Sequence, residues 1–153
     1  MEINMKLKTG NWMQICFEAV SQNEQLARIA VASFITPLNP TLEEMADVKT
    51  AISEAVTNAI IHGYEENPGI VYIRCRLKGD LLEVEIEDQG KGIEDIDQAM
   101  EPMFTTKPEQ DRSGMGFSFM EAFMDELEVV SIPGAGTKVC MKKKLGTESW
   151  LDV

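Results

Sequence analysis

The stretch from Thr41 to Gly63, TLEEMADVKTAISEAVTNAIIHG, constrains the fold more than any other part of the chain. Thr41 with Glu44 three residues later is a capping-box pattern, and Gly63 offers a stop, so a long helix is expected over about residues 42–62. Ile52, Ala55, Val56, Ala59, Ile60 and Ile61 would give it an apolar face. Glu54 and Asn58 are four residues apart and stack on one face of the same helix. A carboxylate and an amide in such surroundings cost free energy unless something hydrogen-bonds or coordinates them. Two readings stay open on pattern alone. The pair is a polar stripe facing solvent, or it is a carboxylate that activates a hydroxyl or water beside an amide oxygen that reaches a cation. His62 continues that face. As the single histidine of the chain it has no second imidazole with which to share a metal, and it reads as a surface or capping residue.

A sheet is expected beside this helix. Residues 70–77 form a strand-like run, 78–80 a turn, and 81–87 alternate cleanly, with Leu82, Val84 and Ile86 on one face and Glu83, Glu85 and Glu87 on the other. That is an antiparallel hairpin with one wet face. The same parity carries Asp88 onto the apolar side. An Asp followed by two spaced glycines, Asp88-Gln-Gly90-Lys-Gly92, is by itself only a turn after a strand. An inward carboxylate is costly, however, and one placed there can accept from the exocyclic amine of a base, while Gly90 and Gly92 let backbone approach a planar ring.

The remaining elements fit the same class. Residues 12–20 read as a first strand. Residues 21–34 read as a helix with Leu26, Ile29, Ala30 and Phe34 inward and Arg28 outward, followed by a connection bracketed by Pro37 and Pro40. A short helix is expected over 95–101, another over 117–127, and a closing hairpin from 129–132 and 137–143 around the turn 133–136. Thr137 would face inward with Val139 and Met141, its hydroxyl in need of a partner. The sum is an α+β, two-layer α/β sandwich: a mostly antiparallel mixed sheet covered on one face by helices. Arg112-Ser113-Gly114-Met115-Gly116 precedes the 117–127 helix, and a helix start accepts phosphate through its unpaired N–H groups. It is neither a Walker loop nor a Rossmann fingerprint. Lys107 and Arg112 are solvated loop charges or the positive partners of a polyphosphate.

Bulk properties exclude several classes. At 153 residues and 44% hydrophobic, the chain suits one compact domain. A net charge of -12 argues against nucleic acid and anionic membranes as partners and permits a basic protein partner. The basic run Lys142-Lys143-Lys144 is expected to solvate the end of the last strand. Three cysteines far apart fit neither a disulfide framework nor a CxxC metal site. With no secretory h-region and no run of membrane-helix length, a cytoplasmic protein is expected.

The order of these signals adds what none carries alone. ExxxN on a helix, DxGxG after a strand, a lid-like segment, GxG before a helix and Gly-Thr in a last strand together resemble the GHKL (Bergerat-fold) family of ATP-binding domains, which includes DNA gyrase, the MutL mismatch-repair protein and sensor histidine kinases. The strings SEAVTNAIIHGY, FTTKPE and RSGMGF are similar to those of the sporulation anti-sigma factors within it, serine kinases that restrain sigma factor F. The resemblance spans about residues 13–144. It implies a domain over 11–145, with an extension at 1–10 and a tail at 146–153 outside the family pattern. It implies Glu54 as general base, Asn58 as the Mg²⁺ ligand, Asp88 as acceptor for the adenine amino group with Gly90, Gly92 and Thr137 nearby, and Thr105, Lys107, Arg112, Ser113, Gly114 and Gly116 in the lid and phosphate cradle. It implies ATP or ADP with Mg²⁺ as cofactors, a sigma factor and an anti-anti-sigma factor phosphorylated on serine as partners, a homodimer, and Arg28 on the partner-binding surface. A nucleotide-switched binding module of the general stress response type, with little or no catalysis, is the alternative. A gyrase- or MutL-like motor would carry a transducer domain after residue 144, and a histidine kinase a dimerisation helix pair before the domain.

Overall fold

A computed structural model describes residues 10–101 and 116–146. Five strands, β1 (Trp12–Glu18), β2 (Ile70–Lys78), β3 (Leu81–Asp88), β4 (Glu126–Ile132) and β5 (Gly136–Lys144), form one sheet in the order β1-β2-β3-β5-β4. Every pairing among the described strands is antiparallel. Helices α1 (Asn23–Ile35), α2 (Leu42–Asn58), α3 (Ile96–Ala99) and α4 (Gly116–Phe123) complete the fold, and α2 packs against both α1 and α4. The α+β class expected from the pattern is the class observed.

Register explains why one face of the sheet is dry. Ile15 faces Ile73, Ile73 faces Ile86, Ile86 faces Val139, and Val139 faces Val129, so an apolar row crosses all five strands. Ile73, Ile86 and Val139 are buried, as are Val48, Ile52 and Val56 of α2 and Phe117 and Met120 of α4. The other face is charged. Arg74 reaches Glu85 at 3.3 Å and Glu87 at 2.9 Å, Arg76 Nε donates to Glu83 at 2.8 Å, and Lys138 and Lys142 approach Glu85 and Glu83 at 3.1 and 3.7 Å.

The capping box is present in full. Thr41 Oγ1 accepts from the Glu44 N–H at 3.0 Å, and Glu44 Oε1 accepts from the Thr41 N–H at 2.9 Å. The same Oε1 also accepts from the Gly146 N–H at 3.0 Å, which ties the end of β5 to the start of α2. At its far end α2 does not stop at Asn58. The helix widens into a π-helical turn over Ala59–Gly63, in which Tyr64 N–H donates to the Ala59 carbonyl at 2.9 Å.

Several boundaries and faces differ from the sequence reading. In α1 the core residues are Ala27, Val31 and Ile35, while Leu26 and Ile29 are 51% and 57% exposed. Thr57 Oγ1 on α2 donates to Glu24 Oε2 at 3.1 Å, consistent with a rotation that puts the stripe 24-27-31-35 inward. Arg28 is half-buried rather than fully outward. The helix expected over 117–127 ends at Phe123, because Asp125 is drawn to β5: its N–H donates to the Lys142 carbonyl, and its carboxylate accepts from the Lys144 N–H at 2.8 Å. Leu127 therefore belongs to β4. Finally, Lys143 does not solvate the strand end: its Nζ donates to the Phe123 carbonyl at 2.8 Å, closing the end of α4. β1 ends at Glu18, two residues before the expected limit.

Glu44→Ala removes the acceptor for two backbone N–H groups at once. It is expected to lower the unfolding free energy by about 2 kcal/mol, against about 1 kcal/mol for Thr41→Ala, as measured by urea denaturation.

Candidate functional site

A cavity of about 510 Å³ opens between the C-terminal end of α2, the end of β3, the segment after it, and the start of α4. Asn58, Asp88, Gly92, Gly116 and Thr137 all line it, so residues far apart in sequence and singled out separately meet around one space. Glu54 stands beside it. A Cβ placed on Gly116 would lie 3.1 Å from Asn58 Nδ2 and 3.4 Å from Glu54 Oε2, so the first residue of α4 is pressed against this pair. A side chain at Gly116 would crowd both groups.

The other end of the cavity is built by backbone. A π-helical turn leaves the Gly63 carbonyl outside the helical ladder, and it accepts from the Lys91 N–H at 2.9 Å. Gly90 lies so close that a Cβ on it would strike that same carbonyl, and a Cβ on Gly63 would come within 2.8 Å of the Asp88 carboxylate. Gly90 is pressed against the Gly63 backbone and Gly63 against the Asp88 carboxylate, so neither position has room for a side chain without displacement. Gly92 adopts φ +77°, a conformation that glycine favours, and its flank is held by a bond from the Gly134 N–H to the Lys91 carbonyl at 2.6 Å. Tyr64 braces the outside: its hydroxyl donates to the Ile70 carbonyl at 2.6 Å and accepts from the Gln89 N–H at 2.7 Å.

Asp88 is 6% exposed and accepts from the Gly90 N–H at 2.9 Å. Burial pushes its carboxyl up from the ordinary 3.8 to about 6, against the backbone N–H groups of Gly90 and Thr137, which pull it down. Across the sheet Asp88 faces Thr137, and Thr137 faces Ser131, so one polar row closes an otherwise apolar face. Thr137 is 8% exposed, and its Oγ1 lies 2.8 Å from Ser131 Oγ.

Arg28, on α1, is not among the residues lining the cavity. Thr105, Lys107, Arg112, Ser113 and Gly114 lie outside the described residues. The sequence reading missed Gly63, taken only as a helix stop, and Ser131. The expected strand 129–132 already held Ser131, and its parity with Thr137 across the short turn was the signal that singles it out. His62, read as a surface or capping residue, lines the cavity.

A sheet backed by helices, with a cavity between the ExxxN helix, the DxGxG strand exit and a glycine-started helix, defines the GHKL type of domain. Residues 17–143 match the histidine kinase-like ATPase domain model. The chain is 55% identical over 138 residues to an anti-sigma F factor of Thermoanaerobacter sp. (strain X514), covering 90% of this chain and 96% of that one. It is 56% identical over 136 residues to the anti-sigma F factor of Oceanobacillus iheyensis, covering 88% and 93%. A crystal structure of the RsbU and RsbW domains of a Mycobacterium tuberculosis protein shares the fold with a TM-score of 0.64 at 20% identity, over 88% of this chain and 32% of that one. The chain belongs to the histidine kinase-like ATPase domain family and, within it, to the anti-sigma F factors.

The raised Asp88 carboxyl has a consequence for stability. Between about pH 4 and pH 6 the folded chain still holds a proton that the unfolded chain has released, so raising the pH through this window favours unfolding. Relative to wild type, Asp88→Asn is expected to gain stability between pH 4 and pH 6.5, on the order of 2 kcal/mol, as read by urea unfolding at both values.

Proposed function

We propose that the chain binds ATP or ADP with Mg²⁺ in this cavity, transfers the γ-phosphoryl group to a serine of an anti-anti-sigma protein, and sequesters a sigma factor. The observation that carries this reading is the meeting of Glu54 and Asn58 with Gly116 at one end of a cavity whose other end holds a buried carboxylate beside Thr137. The first end suits a phosphate chain, since Gly116 of α4 lies there against the Asn58 and Glu54 side chains and a glycine lets a ligand approach backbone N–H groups closely. The second end suits a base with an exocyclic amine, which can donate to Asp88.

The donor set is compatible with magnesium. Among the described residues no three His, Cys, Asp or Glu side chains gather into a metal cluster. A hard cation that keeps several waters can instead rest on the Asn58 side-chain oxygen and the phosphates themselves. When bound it would neutralise phosphate charge.

In the transfer, the serine oxygen forms a bond to the γ-phosphorus as the bond from that phosphorus to the β–γ bridging oxygen breaks. ADP departs, and the serine proton passes to the Glu54 carboxylate. Chemistry of this kind rests on positioning and charge more than on covalent help, so a helical carboxylate at the acceptor suffices. Phosphate contacts are assigned to Thr105, Lys107, Arg112, Ser113 and Gly114, and contacts with the base to Gly90 and Gly92.

The partner surface is assigned to α1. Arg28, half-buried on α1, shares that helix with the exposed apolar residues Leu26 and Ile29, and interfaces favour Arg. Among the described strands β1 is a sheet edge, and an edge can accept a second copy of the chain as a homodimer. No described helix is long and apolar enough to cross a membrane, in keeping with a cytoplasmic role.

Incubation with γ-labelled Mg-ATP and an anti-anti-sigma protein tests the reading. Label is expected on a partner serine. Glu54→Gln is expected to keep ADP affinity within about twofold and to lose transfer by at least about a hundredfold. Normal transfer by that variant would remove the general-base assignment. Nucleotide binding without transfer by the wild type would leave a switchable binding module.

A further inference from the structure

Ser131 lies behind the base-binding end of the cavity, on β4, with three polar neighbours. Its Oγ accepts from the Ile93 N–H at 2.7 Å, donates to the Gly136 carbonyl at 3.1 Å, and lies 2.8 Å from Thr137 Oγ1. A hydroxyl has one proton and two acceptor sites. Ile93 N–H can only donate and takes one acceptor site. The Gly136 carbonyl can only accept and takes the proton. The contact with Thr137 is then decided by elimination, for Ser131 has only an acceptor site left and Thr137 must donate to it.

We infer that Ser131 is a positioning residue for purine selection: by taking the only hydroxyl proton of Thr137 it leaves Thr137 facing the cavity as an acceptor, and by holding the Ile93 N–H it fixes the loop after β3 to the same hydroxyl. This inference rests on the nucleotide reading above. Its chemical consequence is specific. Asp88 and Thr137 are cross-strand neighbours that both line the cavity. An ionised carboxylate beside a hydroxyl that can only accept presents two acceptors to the bound base. An amino group has two protons and satisfies both. The 6-oxo group of guanine would bring a third acceptor that can donate to neither, a mismatch that polar sites reject strongly.

Without Ser131 the Thr137 proton is released and can turn into the cavity, where it can donate to an oxo group. Selection between amino and oxo purines should therefore weaken even where overall folding is retained. The loop should loosen as well, since the Ile93 N–H loses its acceptor.

The test compares ADP and GDP binding by calorimetry for wild type, Ser131→Ala, Ser131→Thr, Thr137→Val and the Ser131→Ala/Thr137→Val double variant. Diphosphates make the readout independent of phosphoryl transfer. Ser131→Ala is expected to reduce the ADP-over-GDP preference about tenfold, Ser131→Thr to restore most of it, and Ser131→Ala to have no further effect on the ratio once Thr137 is Val. Ile93 amide hydrogen exchange in the nucleotide-free chain, expected to be at least about tenfold faster in Ser131→Ala, gives a second readout. Wild type that prefers ADP, with an unchanged ratio in Ser131→Ala, would overturn the inference and leave the nucleotide reading intact. Wild type that binds neither nucleotide would overturn both. If Ser131→Ala does not fold, a Ser131→Thr ratio that departs from wild type as far as that of Thr137→Val would also overturn the inference.

Discussion

A carboxylate buried at the end of an apolar sheet face organises the rest of this molecule. Asp88 continues the inward parity of Leu82, Val84 and Ile86, so it enters the interior because of the strand that precedes it. Its burial can be tolerated only where neighbours supply hydrogen bonds and take up no room. Gly90 supplies an N–H, Gly63 leaves space, and the Gly63 carbonyl anchors the chain through Lys91. That anchor uses the last carbonyl of the helical turn, which has no helical donor after it. The end of α2 and the exit of a central strand are thereby fixed to each other through a backbone bond, with the Tyr64 hydroxyl and the Gln89 N–H adding a second tie.

Much of this was legible in the sequence where local chemistry and tertiary packing agree. The capping box at Thr41 and Glu44, the alternation through Leu81–Asp88 and the turn around Gly134 were readable because each specifies its own backbone conformation. The inward Asp88 followed from parity, and the shared face of Glu54 and Asn58 from helical spacing. The rotation of α1 was not readable. Leu26 and Ile29 are more hydrophobic than Ala27, and only the neighbouring helix, through Thr57 and Glu24, sets the small residue inward. The end of α4 was hidden for a similar reason, because the apolar run through Leu127 suits either a helix or a strand and the deciding bonds come from Lys142 and Lys144, distant in sequence. Ser131, inside the expected strand 129–132, went unmarked because its donor, the Ile93 N–H, is distant in sequence.

The charged face of the sheet explains how an acidic chain keeps three glutamates on adjacent positions of one strand. Glu83, Glu85 and Glu87 are each met by a cation from a flanking strand, Arg74 and Arg76 on one side and Lys138 and Lys142 on the other. Each pair contributes little singly, and the set is sensitive to salt. Together they keep this face wet and distinct from the helix-covered one, so the two sides of the sheet are not interchangeable.

The length of α2 separates the two ends of the domain. Leu42, at its start, is 91% exposed, and Asn58, at its finish, lines the cavity. At 1.5 Å of rise per residue the two are roughly 24 Å apart along one rod. A dye carried at position 42 would therefore tumble with the domain while its linker stays clear of the cavity. Helix α2 thus serves as a built-in ruler, giving fluorescence or spin-label spectroscopy a fixed origin from which movements around the opposite end can be surveyed.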